Sequence, residues 1–139
     1  MTTVQVVEDV AANADDVWNI LSDFGGIKVG GPIEAFEIEG EGVGAVRTIT
    51  MGGGKVIERL DVHDTSSRTF AYCILNEDNP LPVANYAATV KITANGDQAC
   101  SVDWTGTFDA KGADEETASN VVRGIYTGGI QGARKALGA

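Results

Sequence analysis

Two charged side chains stand where strand alternation calls for apolar ones. In the series Ala45, Arg47, Ile49, Met51 and in the series Val56, Glu58, Leu60, Val62, every second residue should face one side of a sheet. Arg47 and Glu58 therefore fall on apolar faces, and Glu34 joins them on the phase of Phe36 and Ile38. An isolated buried charge is very expensive, so these groups must pair or find water. A desolvated Glu58 carboxyl would have its pKa raised and could act as acid or base, while pairing with Arg47 would oppose that shift and hold it as an anion. These two residues are the candidates for catalysis. Tyr72, Tyr86 and Trp104 add apolar bodies with polar tips on the same face. With Ile49, Met51 and Ala88 they make a mostly apolar wall carrying a few convergent polar groups, the make-up of a small-molecule cavity. A plainer reading stays open, in which Arg47 and Glu58 are a buried ion pair in a filled core.

Other chemistries are disfavoured. The single histidine, His63, lies on the outward phase with Ile57, Arg59 and Asp61, and the two cysteines, Cys73 and Cys100, are far apart. Without CxxC, HxxxH or a His/Cys cluster, neither a metal site nor a cofactor is expected. Gly52-Gly53-Gly54 lacks the GK[ST] ending of a phosphate loop and leads into no helix. A net charge of −10 disfavours nucleic acid and anionic membrane surfaces. No apolar run approaches the length of a membrane span, so integral membrane association is not expected. The start, Met1-Thr2-Thr3-Val4-Gln5, lacks the pattern of a secretory signal. The expectation is a cytoplasmic protein with reduced thiols.

The elements that position these residues form one expected domain, 1–139. Thr3 to Val7 reads as a strand. Asn13 caps a helix whose apolar residues are Val17, Ile20, Leu21 and Phe24, ended by Gly25-Gly26. Six strands are expected at about 34–39, 43–51, 55–63, 68–76, 85–94 and 99–109. Connections this short make an antiparallel meander. Asp114-Glu115-Glu116 opens a long helix to about Leu137, with Ala118, Val121, Val122, Ile125, Tyr126, Ile130, Ala133 and Leu137 as its apolar stripe. Gly124, Gly128, Gly129 and Gly132 are unfavourable inside it. Either the helix approaches the sheet closely there, or small residues on both walls (Ala45, Ala88, Gly106 on the sheet) leave space. The loops at Gly52-Gly53-Gly54 and from Asn76 to Pro82 emerge at one end and would frame an entrance.

The element order resembles the helix-grip fold of the START-like superfamily, an α+β architecture with a curved antiparallel sheet of about seven strands around a long C-terminal helix. The superfamily includes the birch pollen allergen family and the polyketide cyclase/dehydrase family. Gly42-Val43-Gly44-Ala45-Val46-Arg47, Glu58-Arg59-Leu60-Asp61-Val62, Arg68-Thr69-Phe70-Ala71-Tyr72, Asn85-Tyr86 and Val102-Asp103-Trp104 look like signatures of bacterial SRPBCC proteins and are similar to plant abscisic acid receptors. The resemblance implies a pocket between sheet and helix, gated by the 51–55 and 77–83 loops. By position it makes Glu58, Tyr72, Tyr86 and Trp104 pocket residues, and Met51, Val83, Val122 and Tyr126 apolar lining. The receptors' gate and latch sequences are replaced here by Met51-Gly52-Gly53-Gly54-Lys55 and Leu81-Pro82-Val83, and their carboxylate-holding lysine by Glu34. An abscisic acid receptor is therefore not expected, nor is a carboxylate ligand.

Three functions follow as expectations. The first is binding of a small hydrophobic molecule of the polyketide, lipid or terpenoid class. The second is a polyketide cyclase/aromatase-like enzyme in which Arg47, Glu58 and the tyrosines assist enolisation or dehydration. The third is an interaction protein that forms a homodimer.

Overall fold

The computed structural model describes residues 1–139. The order of elements is β1 (Thr2–Val10), α1 (Ala14–Leu21), β2 (Ile33–Glu39), β3 (Val46–Met51), β4 (Gly54–Asp64), β5 (Thr69–Ile74), β6 (Val83–Ala94), β7 (Cys100–Ala110) and α2 (Glu115–Leu137). The strands form one antiparallel sheet in the order β1-β7-β6-β5-β4-β3-β2. β2 to β7 are the expected meander, and β1 pairs with the far side of β7, which leaves β1 and β2 as edges.

α2 is set by local chemistry at both ends. Asp114 caps it by accepting from the Thr117 backbone N–H at 2.8 Å, and Gly138 ends it in the left-handed conformation with φ +68°. Its buried face, Ala118, Val122, Tyr126, Ile130 and Ala133, packs against β1 and β7. Arg134 ties its C-terminal turn to β1, bonding the Glu8 carboxylate at 2.6 Å and the Asp9 carbonyl. The core runs from Val4, Val6 and Val10 of β1 through Val90, Ile92, Val102 and Phe108 to Val17 and Trp18 of α1.

Three expectations are corrected. α1 ends at Leu21 rather than at Gly25-Gly26, with Ser22 as its C-cap; the Ser22 hydroxyl donates to the Trp18 carbonyl at 2.6 Å and turns the chain early. Residues 43–45 precede β3 instead of belonging to it. Val62 does not face inward: the register of β4 against β5 shifts between Leu60 and Val62, which turns Val62 to solvent.

The helix glycines divide in a way their composition did not reveal. A Cβ on Gly129 would lie 2.7 Å from the Trp104 ring, so the absence of a side chain there lets the indole reach the helix. Gly124, Gly128 and Gly132 have open space around them and face outward. On the sheet, a Cβ on Gly106 would fall 1.9 Å from the Tyr126 hydroxyl. The room left by Gly106 is filled by Tyr126, which corrects the expectation that small residues on both walls leave a void there.

Candidate functional site

Arg47 and Glu58 are directly opposite each other in the β3–β4 ladder. The hairpin that sets this register turns on Gly52 and Gly53, both at positive φ (+58° and +78°), the conformation a two-residue hairpin loop requires. Arg47 Nη2 and Nε lie 2.7 and 2.8 Å from Glu58 Oε1. Both side chains are almost wholly withdrawn from solvent. Arg47 also donates from Nη1 to the Phe24 carbonyl at 3.2 Å, and its guanidinium lies 3.9 Å above the Phe24 ring and 5.5 Å from the Tyr72 ring. Each guanidinium nitrogen is thus engaged by protein. Glu58 Oε2 accepts from no protein donor, while no fully enclosed side-chain oxygen is left without a partner. That oxygen is the free acceptor of the pair. Burial pushes the Glu58 carboxyl up, and the charge and hydrogen bonds of Arg47 pull it back part of the way.

Beyond the ion pair lies a cavity of about 340 Å³ between the sheet, α1 and α2. Arg47 and Glu58 line it together with Ile49, Met51, Val56, Phe70, Tyr72, Ile74, Tyr86 and Trp104 from the sheet. Val121, Val122, Ile125 and Gly129 close it from α2, and Ile20, Leu21 and Ile27 from α1 and the segment after it. A larger, open groove of about 620 Å³ runs past Trp18, Asp23, Glu41 and His63 on the surface, and its lining is mainly polar or glycine. His63 is exposed there as expected, its ring 5.0 Å from that of Trp18.

Three tyrosines and a tryptophan form one hydrogen-bonded line at the cavity wall. Trp104 Nε1 donates to Tyr72 Oη at 3.3 Å, Tyr72 Oη lies 3.2 Å from Tyr86 Oη, and Tyr86 Oη lies 2.5 Å from Tyr126 Oη. The Trp104 and Tyr126 rings stack at 4.8 Å. Burial pushes the Tyr72 hydroxyl up to about 12, with the Glu58 charge adding to the effect, and raises Tyr86 and Tyr126 as well. All three stay protonated at neutral pH and can donate.

Of the twelve residues expected at the site, eight line the cavity: Arg47, Ile49, Met51, Glu58, Tyr72, Tyr86, Trp104 and Val122. Four do not. Glu34 is exposed, because the register of β2 shifts between Ile33 and Ala35 and gives the inward position to Ile33. Val83 is fully buried outside the cavity; a bulge between Ala84 and Ala87, with Asn85 at φ +53°, turns both Val83 and Tyr86 inward although they are three residues apart. Ala88 and Tyr126 are buried and reach it only through their neighbours. Sequence reasoning missed the contribution of the α1 region. The helical spacing of Ile20 and Leu21 fits a core face as well as a cavity wall, and Ile27 lies in a stretch with no periodicity to interpret.

The two loops expected at the entrance pack against each other. Pro80 packs on the Gly52–Gly54 turn, where a Cβ on Gly54 would come within 3.3 Å of it. The 76–82 loop is bound down: Asn76 bonds the Ile57 amide and the Lys55 carbonyl at 3.0 and 2.7 Å, Asn79 accepts from the Leu81 amide at 3.0 Å, and Lys111 donates to the carbonyls of Glu77 and Asn79. Met51 and Leu81, from the two loops expected at the entrance, line the cavity, and its most exposed lining residues are Asp23, Gly26, Val121 and Ile125, between the segment after α1 and the middle of α2.

A curved seven-stranded antiparallel sheet gripping a C-terminal helix, with an apolar cavity between them, is the helix-grip architecture of START-like proteins. The chain belongs to the polyketide cyclase/dehydrase and lipid transport family, whose sequence model matches residues 1–138. No protein of curated function matches it. Similar solved structures include an uncharacterised protein from Bacillus thuringiensis (27% identity, TM-score 0.82, covering 97% of this chain and 98% of that one). Protein XoxI from Bacillus cereus is alike to the same degree (27%, TM-score 0.83, 98% and 95%). Norcoclaurine synthase from Thalictrum flavum, solved with dopamine and hydroxybenzaldehyde, shares the fold at 20% identity (TM-score 0.76, 98% and 85%). Membership of this family supports a ligand-binding role, and no helix is long and apolar enough to cross a membrane.

Proposed function

We propose that the chain binds a small, largely apolar molecule, of polyketide, lipid or terpenoid type, in the cavity between β3–β7 and α2. The carrying observation is the cavity itself: about 340 Å³ with mostly apolar walls and one polar end, where Arg47, Glu58 and Tyr72 meet. That volume sits within the range of sites for compact organic ligands. Arg47 is already neutralised by Glu58 and committed to the Phe24 carbonyl, so a carboxylate ligand would find no free cation. Native mass spectrometry of the protein as purified, repeated after denaturation and solvent extraction, tests the reading. The expected result is an extra mass that disappears on denaturation and, for apo protein, saturable uptake of fused-ring aromatics. Failure to take up any such compound at its solubility limit would overturn it.

One observation favours a second reading, an enzyme of the cyclase or dehydratase kind. Glu58 Oε2 is free, and burial moves this carboxyl toward the range of a working acid or base. It would take a proton from carbon next to a substrate carbonyl and return it to the departing hydroxyl, which leaves as water. Loss of turnover in Glu58→Gln with ligand affinity retained would support this role, and unchanged turnover would exclude it. Binding ranks first because the cavity carries it directly, whereas Arg47 offsets part of the rise that burial gives Glu58.

A further inference from the structure

The first link of the line of aromatic hydroxyls has a direction that can be worked out from burial. Tyr126 is completely buried, and its hydroxyl has one partner, Tyr86 Oη at 2.5 Å. A buried hydroxyl hydrogen without an acceptor is strongly disfavoured, so Tyr126 donates to Tyr86. Tyr86 and Tyr72 then share one contact, at 3.2 Å, which takes the hydrogen of only one of the two hydroxyls. Indole N–H is a donor only, so Trp104 also donates to Tyr72. One hydroxyl hydrogen of the Tyr72–Tyr86 pair therefore has no acceptor among protein atoms, and both residues line the cavity. The opposite direction would leave the Tyr126 hydrogen stranded in the core. Glu58 Oε2, the other unpartnered polar atom of the site, makes no hydrogen bond with Tyr72.

We infer that the Tyr72–Tyr86 pair turns one hydroxyl hydrogen toward the cavity as a donor, and that the molecule bound there is neutral and seats an acceptor oxygen, such as that of a carbonyl, on it. This rests on the cavity being a ligand site. Whichever of the two hydroxyls keeps that hydrogen accepts two hydrogen bonds, Tyr72 from Trp104 and Tyr86 or Tyr86 from Tyr126 and Tyr72, which polarises the hydrogen and strengthens what it gives. A carbonyl oxygen satisfies that hydrogen with nothing left over, whereas an alcohol oxygen in the same place would need an acceptor for its own hydrogen, for which Glu58 Oε2 is the one unpartnered atom of the site. A carboxylate would meet the buried Glu58 carboxyl with no cation beside it but the Arg47 already paired to Glu58.

The test uses three shape-matched probes, 2-acetylnaphthalene, 2-isopropenylnaphthalene and 2-naphthoate, titrated calorimetrically into extracted protein and into Tyr72→Phe/Tyr86→Phe, since either hydroxyl alone would keep a hydrogen for the cavity. The ketone should bind about tenfold more tightly than the hydrocarbon, the size of one well-placed neutral hydrogen bond, and the double variant should erase that advantage without weakening the hydrocarbon. Naphthoate should bind at least tenfold more weakly than the ketone. The infrared carbonyl stretch of the bound ketone should be lower in the wild type than in alkane solution, and this reading needs no variant should the double variant fail to fold. Equal affinity for ketone and hydrocarbon with an unshifted stretch would overturn the donor assignment and leave the cavity reading standing. Naphthoate binding as tightly as the ketone would overturn neutrality. If none of the three bound, the cavity reading would fall and this inference with it.

Discussion

The two ends of the sheet use the same alternating pattern to opposite ends. Where α2 crosses β7, the inward positions are matched ring against gap: Tyr126 occupies the place above Gly106, and Trp104 presses on Gly129. Around β3 and β4, the inward positions carry Arg47, Ile49, Val56 and Glu58, and α2 offers Val121, Val122 and Ile125, which do not reach across. The first region is packed like a crystal and the second keeps about 340 Å³ open. Small residues therefore mark close approach here, and the empty space belongs to the region with branched aliphatic and charged residues. A stretch of glycines is poor evidence for a void unless the opposite wall is known.

The contrast can be broken most severely at the ion pair. Arg47→Met should destabilise the protein by about 3–5 kcal/mol at neutral pH, because Glu58 is left buried and unpaired. The double variant Arg47→Met/Glu58→Leu should recover most of the loss in urea melts. Next comes the packed region: Gly106→Ala forces a Cβ into the Tyr126 hydroxyl and should cost about 1–3 kcal/mol or more, seen as a lower thermal midpoint. Enlarging a wall of the open region should be far milder. Ile49→Phe is expected to change stability by less than about 1.5 kcal/mol while weakening probe binding, and a loss as large as that of Gly106→Ala would mean the cavity is not free space.

The acid–base prediction concerns Glu58. Its folded pKa is raised above the ordinary 4.5, so the stability it contributes is fully present below 4.5 and is lost as pH rises through the higher folded value. Melting points of wild type and Glu58→Gln, followed upward from pH 4.5, should therefore show an extra downward slope in the wild type only. A wild-type curve parallel to that of the variant would mean that Arg47 cancels the burial effect. The smallest effect is expected on the outer face of α2, where Gly124→Ala meets no neighbour and should stabilise by about 0.5–1 kcal/mol.

Much of this was legible in the residues. Period-two patterns located six strands, caps at Asn13 and Asp114 began both helices, and the phase of Arg47 and Glu58 put them on one face. What failed did so at register shifts. Glu34, Val62 and Val83 each lie beside an irregularity in β2, β4 or β6, and one extra residue exchanges the faces of everything beyond it. The segment from Ser22 to Pro32, glycine-rich and without period, offered no signal for Ile27 or for the exposed lining at Asp23 and Gly26.

By itself the sequence determined the elements, their antiparallel order and the set of side chains that share the concave face, because alternation, caps and turn glycines act over a few residues. Only the tertiary structure decided which of those side chains border free space, where the cavity opens, and which way the Tyr126 hydroxyl donates. Those outcomes depend on how far α2 and the segment after α1 stand from the sheet, a distance set by contacts between residues remote in the chain, such as Gly129 with Trp104 and Gly106 with Tyr126.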